Sequence, residues 1–85
     1  MTHFLQQYRA EWAIRFQEYS SENLVQVFNR EVEVNGWTGT RGAFLAALTM
    51  EFDRRNWDYS AIGSQRFMSM RRKVKLVGQS LIPLD

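Results

Sequence analysis

Apolar residues recur at steps of three and four over residues 3–19. Leu5, Tyr8, Trp12, Phe16 and Tyr19 align on one side of a helix, and Gln6, Arg9, Glu11, Arg15 and Glu18 take the other sides. Glu11 and Arg15 stand four apart with the acid first, a small helix-stabilising pair. Ser20 and Ser21 end this helix and cap a second, whose apolar stripe is Leu24, Val25, Phe28 and Val32. The pattern fades at Glu31-Val32-Glu33-Val34. Because Asn35-Gly36 follows, the stretch reads as a fraying helix stopped by Gly36, with a short strand at 31–34 as the alternative. A third helix, at about residues 40–56, starts behind Thr38 or Thr40. Ala43, Phe44, Leu45, Ala47, Leu48 and Phe52 spread over more than one of its faces, which predicts a central position. Asp53, Arg54, Arg55 and Asn56 return it to solvent, and Trp57 is expected to fold back over its end.

Asp58 to Gly63 reads as a turn or a single helical turn, and from Phe67 onward the period changes. Val74 and Leu76 then alternate with Lys73 and Lys75, Gly78-Gln79 suits a two-residue type II′ turn, and Leu81 and Leu84 lie on the returning limb. This predicts a hairpin at about 71–84, with strands at 71–77 and 80–84, an extension of the first strand back to Phe67 as the alternative, and Pro83 at an edge or ladder end. A two-stranded hairpin is marginal alone, so one face must pack on the helices. The expected fold is α+β: three helices around a central apolar helix with a C-terminal β-hairpin, in a single small globular domain over residues 1–85.

Composition narrows the chemistry. Hydrophobic residues make up 45% and charged residues 24%, and six Phe, three Tyr and three Trp supply the area a small core needs. There is no cysteine, which removes disulfides, thiol catalysis and cysteine-based zinc sites. His3 is the sole histidine and stands near a terminus, so neither a histidine-based triad nor a transition-metal site is expected. Glu31 with Glu33, and Glu51 with Asp53 or Asp58, are paired carboxylates on segments that read as solvated faces. They are assigned structural roles, because acid–base work needs carboxylates in a cleft. No catalytic residue, metal or cofactor is therefore expected. The first residues lack the basic-then-apolar pattern of a secretory signal, and no run approaches the roughly 20 apolar residues that cross a bilayer. A cytoplasmic protein without membrane association is the expectation.

Charge changes the picture most. Residues 1–58 hold six Arg against eight acids, a net −2, whereas residues 59–85 hold five cations against Asp85 alone, a net +4. Those five, Arg66, Arg71, Arg72, Lys73 and Lys75, fall within ten residues and favour a polyanionic partner. On an exposed strand the same charges also block edge-to-edge pairing. Gly39-Thr40-Arg41-Gly42 adds a second candidate, in which backbone N–H groups at a helix start, with glycines allowing close approach, attract anions. The GxxG spacing resembles the backbone clamp of KH domains, although helix 1 stands where a KH strand belongs. The order of three helices and a basic hairpin resembles winged-helix proteins. However, helix 3 offers only Arg41, Thr49, Asp53 and its terminal arginines as a polar reading face, and no small strand separates helices 1 and 2. Neither likeness names a family.

The leading expectation is a non-enzymatic module that binds nucleic-acid backbone through Arg66, Arg71, Arg72, Lys73 and Lys75, with Arg41 and the Gly39, Thr40, Gly42 helix start as a second contact. The alternative is a protein–protein interaction or homodimerisation module that uses apolar surface on helix 3 and the hairpin edge. Trp37, Trp57, Tyr59 and Phe67, near loops, are candidates either for stacking on bases or for closing the core.

Overall fold

The computed structural model describes residues 2–34, 39–63 and 68–84. Its elements are α1 (Thr2–Phe16), α2 (Ser21–Val32), α3 (Gly39–Arg54), β1 (Val74–Val77) and β2 (Ser80–Pro83), which makes the fold α+β with a C-terminal antiparallel hairpin. Asn35, Gly36, Trp37, Thr38, Arg66 and Phe67 lie outside the described residues.

Local chemistry sets the helix ends. α1 stops at Phe16, short of Tyr19, because the N–H groups of Gln17, Glu18 and Tyr19 donate to the carbonyls of Ile14, Arg15 and Phe16, three residues back, and tighten the last turn. Ser20 then takes extended angles, and its hydroxyl accepts the N–H of Asn23 at 3.0 Å, the expected cap of α2. α2 continues through Val32 and closes at Glu33, so the alternative strand at 31–34 does not form. The chain leaves α3 through a left-handed residue, Asn56, at φ 60°. Its N–H donates to the Asp53 carbonyl at 3.0 Å, and the N–H of Trp57 donates to that of Phe52 at 2.9 Å. This paired return of the chain satisfies carbonyls that the helix leaves open. It also turns Trp57 back as expected, onto Phe52, with ring centroids 5.4 Å apart.

α3 packs mainly along α1, and α2 packs on β1. Between α1 and α3, Phe44 meets Trp12 and Phe16 edge-on at 4.8 and 5.4 Å, geometry that adds about 0.5–1.5 kcal/mol per pair beyond burial. Phe28, Phe52, Trp57 and Tyr59 extend the aromatic core, and Val74 and Leu81 close it from the hairpin. The Tyr59 hydroxyl donates to Asp53 Oδ1 at 2.7 Å. Burial, and then this bond to a carboxylate, push the phenol up to about 12. A raised pKa means that the stabilisation is complete below about 10 and is lost as pH rises from there toward 12. An alkaline absorbance titration should show one tyrosinate forming near 12, and Tyr59→Phe should remove that step.

The hairpin pairs Val77 with Ser80, Leu76 with Leu81, Lys75 with Ile82 and Val74 with Pro83. Gly78 sits at φ 61°, and Gln79 is not left-handed, as a type II′ turn requires. Counting from that turn, Val74, Leu76, Leu81 and Pro83 are the positions whose backbone groups face away from the ladder. The missing N–H of Pro83 therefore costs no ladder bond. Val74 is satisfied by Asn29 of α2, which accepts its N–H at 2.7 Å and donates to its carbonyl at 3.0 Å. On the other edge, Leu81 donates to the Asp58 carbonyl at 2.8 Å and the Gln79 carbonyl accepts from the N–H of Asp58 at 2.7 Å. The inner face carries Val74, Leu76, Leu81 and Pro83. Lys75, Val77 and Ile82 are exposed on the outer face.

Candidate functional site

The strand expected at 71–77 begins only at Val74, the residue that Asn29 clamps. Residues 71 and 72 form a bend instead. In a strand, consecutive side chains face opposite ways, so Arg71 would share the Lys73 side and Arg72 the apolar side. The bend removes that alternation. Both arginines line one recess of about 210 Å³, together with Ala61, Ile62, Ser69 and Pro83. Ser69 is fixed through its N–H, which donates to the Ile62 carbonyl at 2.7 Å.

Arg71, Arg72, Lys73 and Lys75 are all exposed. Lys73 Nζ lies 3.0 Å from Glu33 Oε2, a solvated pair worth at most about 1 kcal/mol. A second recess of about 330 Å³ lies here, lined by Gln26, Asn29, Arg30, Glu33 and Lys73. It mixes two cations with a carboxylate, whereas the Arg71–Arg72 recess has no carboxylate among its described lining residues.

The remaining candidates sit elsewhere in the molecule's bonding. Arg41 is 13% exposed in its side chain. It donates to Glu31 Oε1 at 3.2 Å and to the Glu31 carbonyl at 2.8 Å, tying the start of α3 to the end of α2. Gly39, Thr40, Arg41 and Gly42 form the first turn of α3, not a loop between helices. A Cβ at Gly39 would meet the Leu5 side chain at 3.8 Å, an ordinary contact, so packing does not demand glycine there. Thr49 is buried and donates to the Leu45 carbonyl at 3.0 Å. Trp57 and Tyr59 belong to the core and offer no ring for stacking on bases.

The carboxylates correct one expectation. Glu51 is not on a solvated face; it is 2% exposed. Arg54 grips both of its oxygens, at 2.9 and 2.8 Å, and Arg55 binds Oε2 from the next position. Burial alone would raise this carboxyl, but the hydrogen bonds and charges of Arg54 and Arg55 outweigh it and hold the group below the usual range. Asp58 is also held low, by the hydroxyl and then the N–H of Ser60. These carboxylates are ionised and engaged in structural bonds.

Among the described residues, no group of three or more His, Asp or Glu could hold a metal ion, and no helix is long and apolar enough to cross a membrane. Comparison with protein-family models, curated proteins and solved structures returns no match.

Proposed function

We propose that this protein is a small non-enzymatic binding module that contacts nucleic-acid backbone through Arg71, Arg72, Lys73 and Lys75. One observation supports the reading above the others: four cations stand exposed within five residues, and among the described ion pairs only Lys73 has a carboxylate partner. Such a stretch raises local potential and exchanges condensed counterions for its own charges. Arg41, engaged by Glu31, is left out of this surface. A cytoplasmic setting belongs to the same reading, since a core closed by aromatic packing without cysteine suits a reducing compartment.

The rival reading, self-association through the hairpin edge, has less support. Asn29 occupies the outward groups of Val74, and β1 carries an exposed lysine beside its remaining open position, Leu76. Lysine on an edge opposes strand addition. Much of the apolar surface of α3 is also covered, with Ala47, Leu48 and Phe52 fully buried.

The test is binding to labelled duplex DNA and RNA across a salt series. If all four cations meet duplex phosphates, log K falls against log[salt] with a slope of about −3.6. Lys73→Gln with Lys75→Gln should halve that slope and weaken binding about tenfold at low salt. Absence of binding at low salt, with a salt-tolerant dimer in sedimentation, would replace this reading with the rival one.

A further inference from the structure

We infer that the recess between Arg71 and Arg72 is a phosphate-monoester site, and that the module recognises the terminal phosphate of a nucleic-acid strand in addition to backbone charge. The inference shares its cations with the functional reading above and takes the identity of the larger ligand from it.

The geometry separates this recess from a plain basic surface. Two consecutive arginines, Arg71 and Arg72, line one cavity where the chain bends. Each guanidinium offers a planar fork of donors suited to phosphate oxygens, and arginine pairs bind such oxygens in bidentate fashion. Ser69 adds a hydroxyl to the same lining. Among the described residues its oxygen accepts one long contact, 3.4 Å, from the Arg71 N–H, which leaves the hydroxyl hydrogen for a ligand. Among the described lining residues there is no carboxylate to compete for the arginines.

Size and lining select the ligand further. At about 210 Å³ the recess is smaller than the roughly 300–1,000 Å³ of sites that enclose drug-sized molecules, so it suits one small group. A phosphodiester enters and leaves any site through two ester bonds and carries one negative charge. A monoester has a single attachment, carries between about −1.5 and −2 at neutral pH, and offers three strong acceptor oxygens. Two arginines and a serine lining one recess match the second group better than the first. Ile62, Ala61 and Pro83 supply an apolar wall against which the adjoining sugar can rest.

The experiment compares one single-stranded oligonucleotide with a 5′-phosphate, with a 3′-phosphate and with hydroxyl ends, at fixed salt, on the wild-type chain and two exposed-residue variants. A phosphorylated end should bind roughly tenfold tighter than the hydroxyl form, the scale of one additional charge-assisted hydrogen-bonded contact. Arg71→Gln with Arg72→Gln should erase that preference, whereas Lys73→Gln with Lys75→Gln should weaken all three oligonucleotides and keep it. The amide signals of Ser69 and Arg71 should also shift on titration with a nucleoside 5′-monophosphate and not with the nucleoside. Equal binding of all three oligonucleotides, with a clear salt slope, overturns the terminal-phosphate site and leaves backbone binding in place. Shifts with the monophosphate but no oligonucleotide binding would overturn the nucleic-acid reading and keep the anion site. No shift and no binding would remove both.

Discussion

Glu51→Ala should lower the free energy of unfolding by about 3–5 kcal/mol, the usual cost of removing one partner from a buried ion pair. For a domain whose whole stability is about 5–15 kcal/mol, that is a shift of the urea midpoint large enough to leave a populated unfolded fraction at room temperature. The size follows from how much Glu51 organises. Its carboxylate is gripped by Arg54 and Arg55 near the end of α3. Arg55, oriented by that grip, donates to the carbonyls of Phe16 and Tyr19, where α1 gives way to the turn before α2. It also lies over the Trp57 ring, 5.7 Å from the centroid. Without Glu51, Arg55 loses the partner that aims it, and the carbonyls of Phe16 and Tyr19 lose a charged donor. Glu51→Gln, which keeps shape and one acceptor, should cost less than the alanine change.

The pH dependence checks the same assignment. The Glu51 carboxyl is depressed in the folded state below its ordinary value of about 4.5. Its contribution is therefore complete above that value and is lost as pH falls through the lower folded value. Acid titration of stability should show this loss in the wild type and a shallower slope below pH 4.5 in Glu51→Gln. Equal acid slopes and a loss of unfolding free energy under about 0.5 kcal/mol for the alanine variant, the range of an ordinary surface change, would make Glu51 a bystander.

The elements that the sequence announced are those built by neighbours in the chain. Ser20 caps α2 because its hydroxyl reaches a backbone N–H three residues on, and Gly78 makes the hairpin because its own φ is 61°. Both effects are local, so spacing reveals them. Glu51 misled because charged residues are mostly exposed, although its spacing to Arg54 and Arg55, three and four residues, was a visible sign of an ion-paired cluster. The Asn29 clamp had no such sign. Its partner lies 45 residues away, and an asparagine in a helix usually faces water.

The basic run was legible as composition, but its arrangement was not. Period-two alternation, extended back from Val74 and Leu76, put Arg71 and Arg72 on opposite faces. The regular strand ends where the tertiary clamp ends, and the bend before it brings both arginines to one recess. The walls of that recess come from residues 61–62, 69, 71–72 and 83, a juxtaposition that depends on the hairpin packing against the turn after α3. Arg41 shows the opposite case: a cation beside glycines reads as an anion contact in one dimension and is the helix-to-helix tie with Glu31 in three.

Asn29→Ala should destabilise the protein by about 2–4 kcal/mol, since it leaves the N–H and carbonyl of Val74 without partners and each such group costs about 1–3 kcal/mol when water cannot replace the bond. Val74 is 1% exposed and anchors the start of β1, so opening should be concentrated in the hairpin. Amide exchange at Val74 should accelerate before that of Leu48 or Phe52 in α3. Asn29→Asp separates the two bonds. An aspartate can still accept the Val74 N–H but cannot donate to its carbonyl, and it sets a negative charge against that oxygen, so it should recover little of the loss. The clamp also carries a functional consequence. Arg71 and Arg72 share a recess only because β1 starts at Val74, and Pro83, opposite Val74 in the register, forms part of its wall. Releasing Val74 should therefore weaken discrimination between phosphorylated and hydroxyl strand ends more than it weakens general backbone binding, which needs the charges but not their convergence. Retained end discrimination in a variant whose hairpin amides exchange freely would separate the recess from the clamp and return the arginines to the role of a diffuse basic surface.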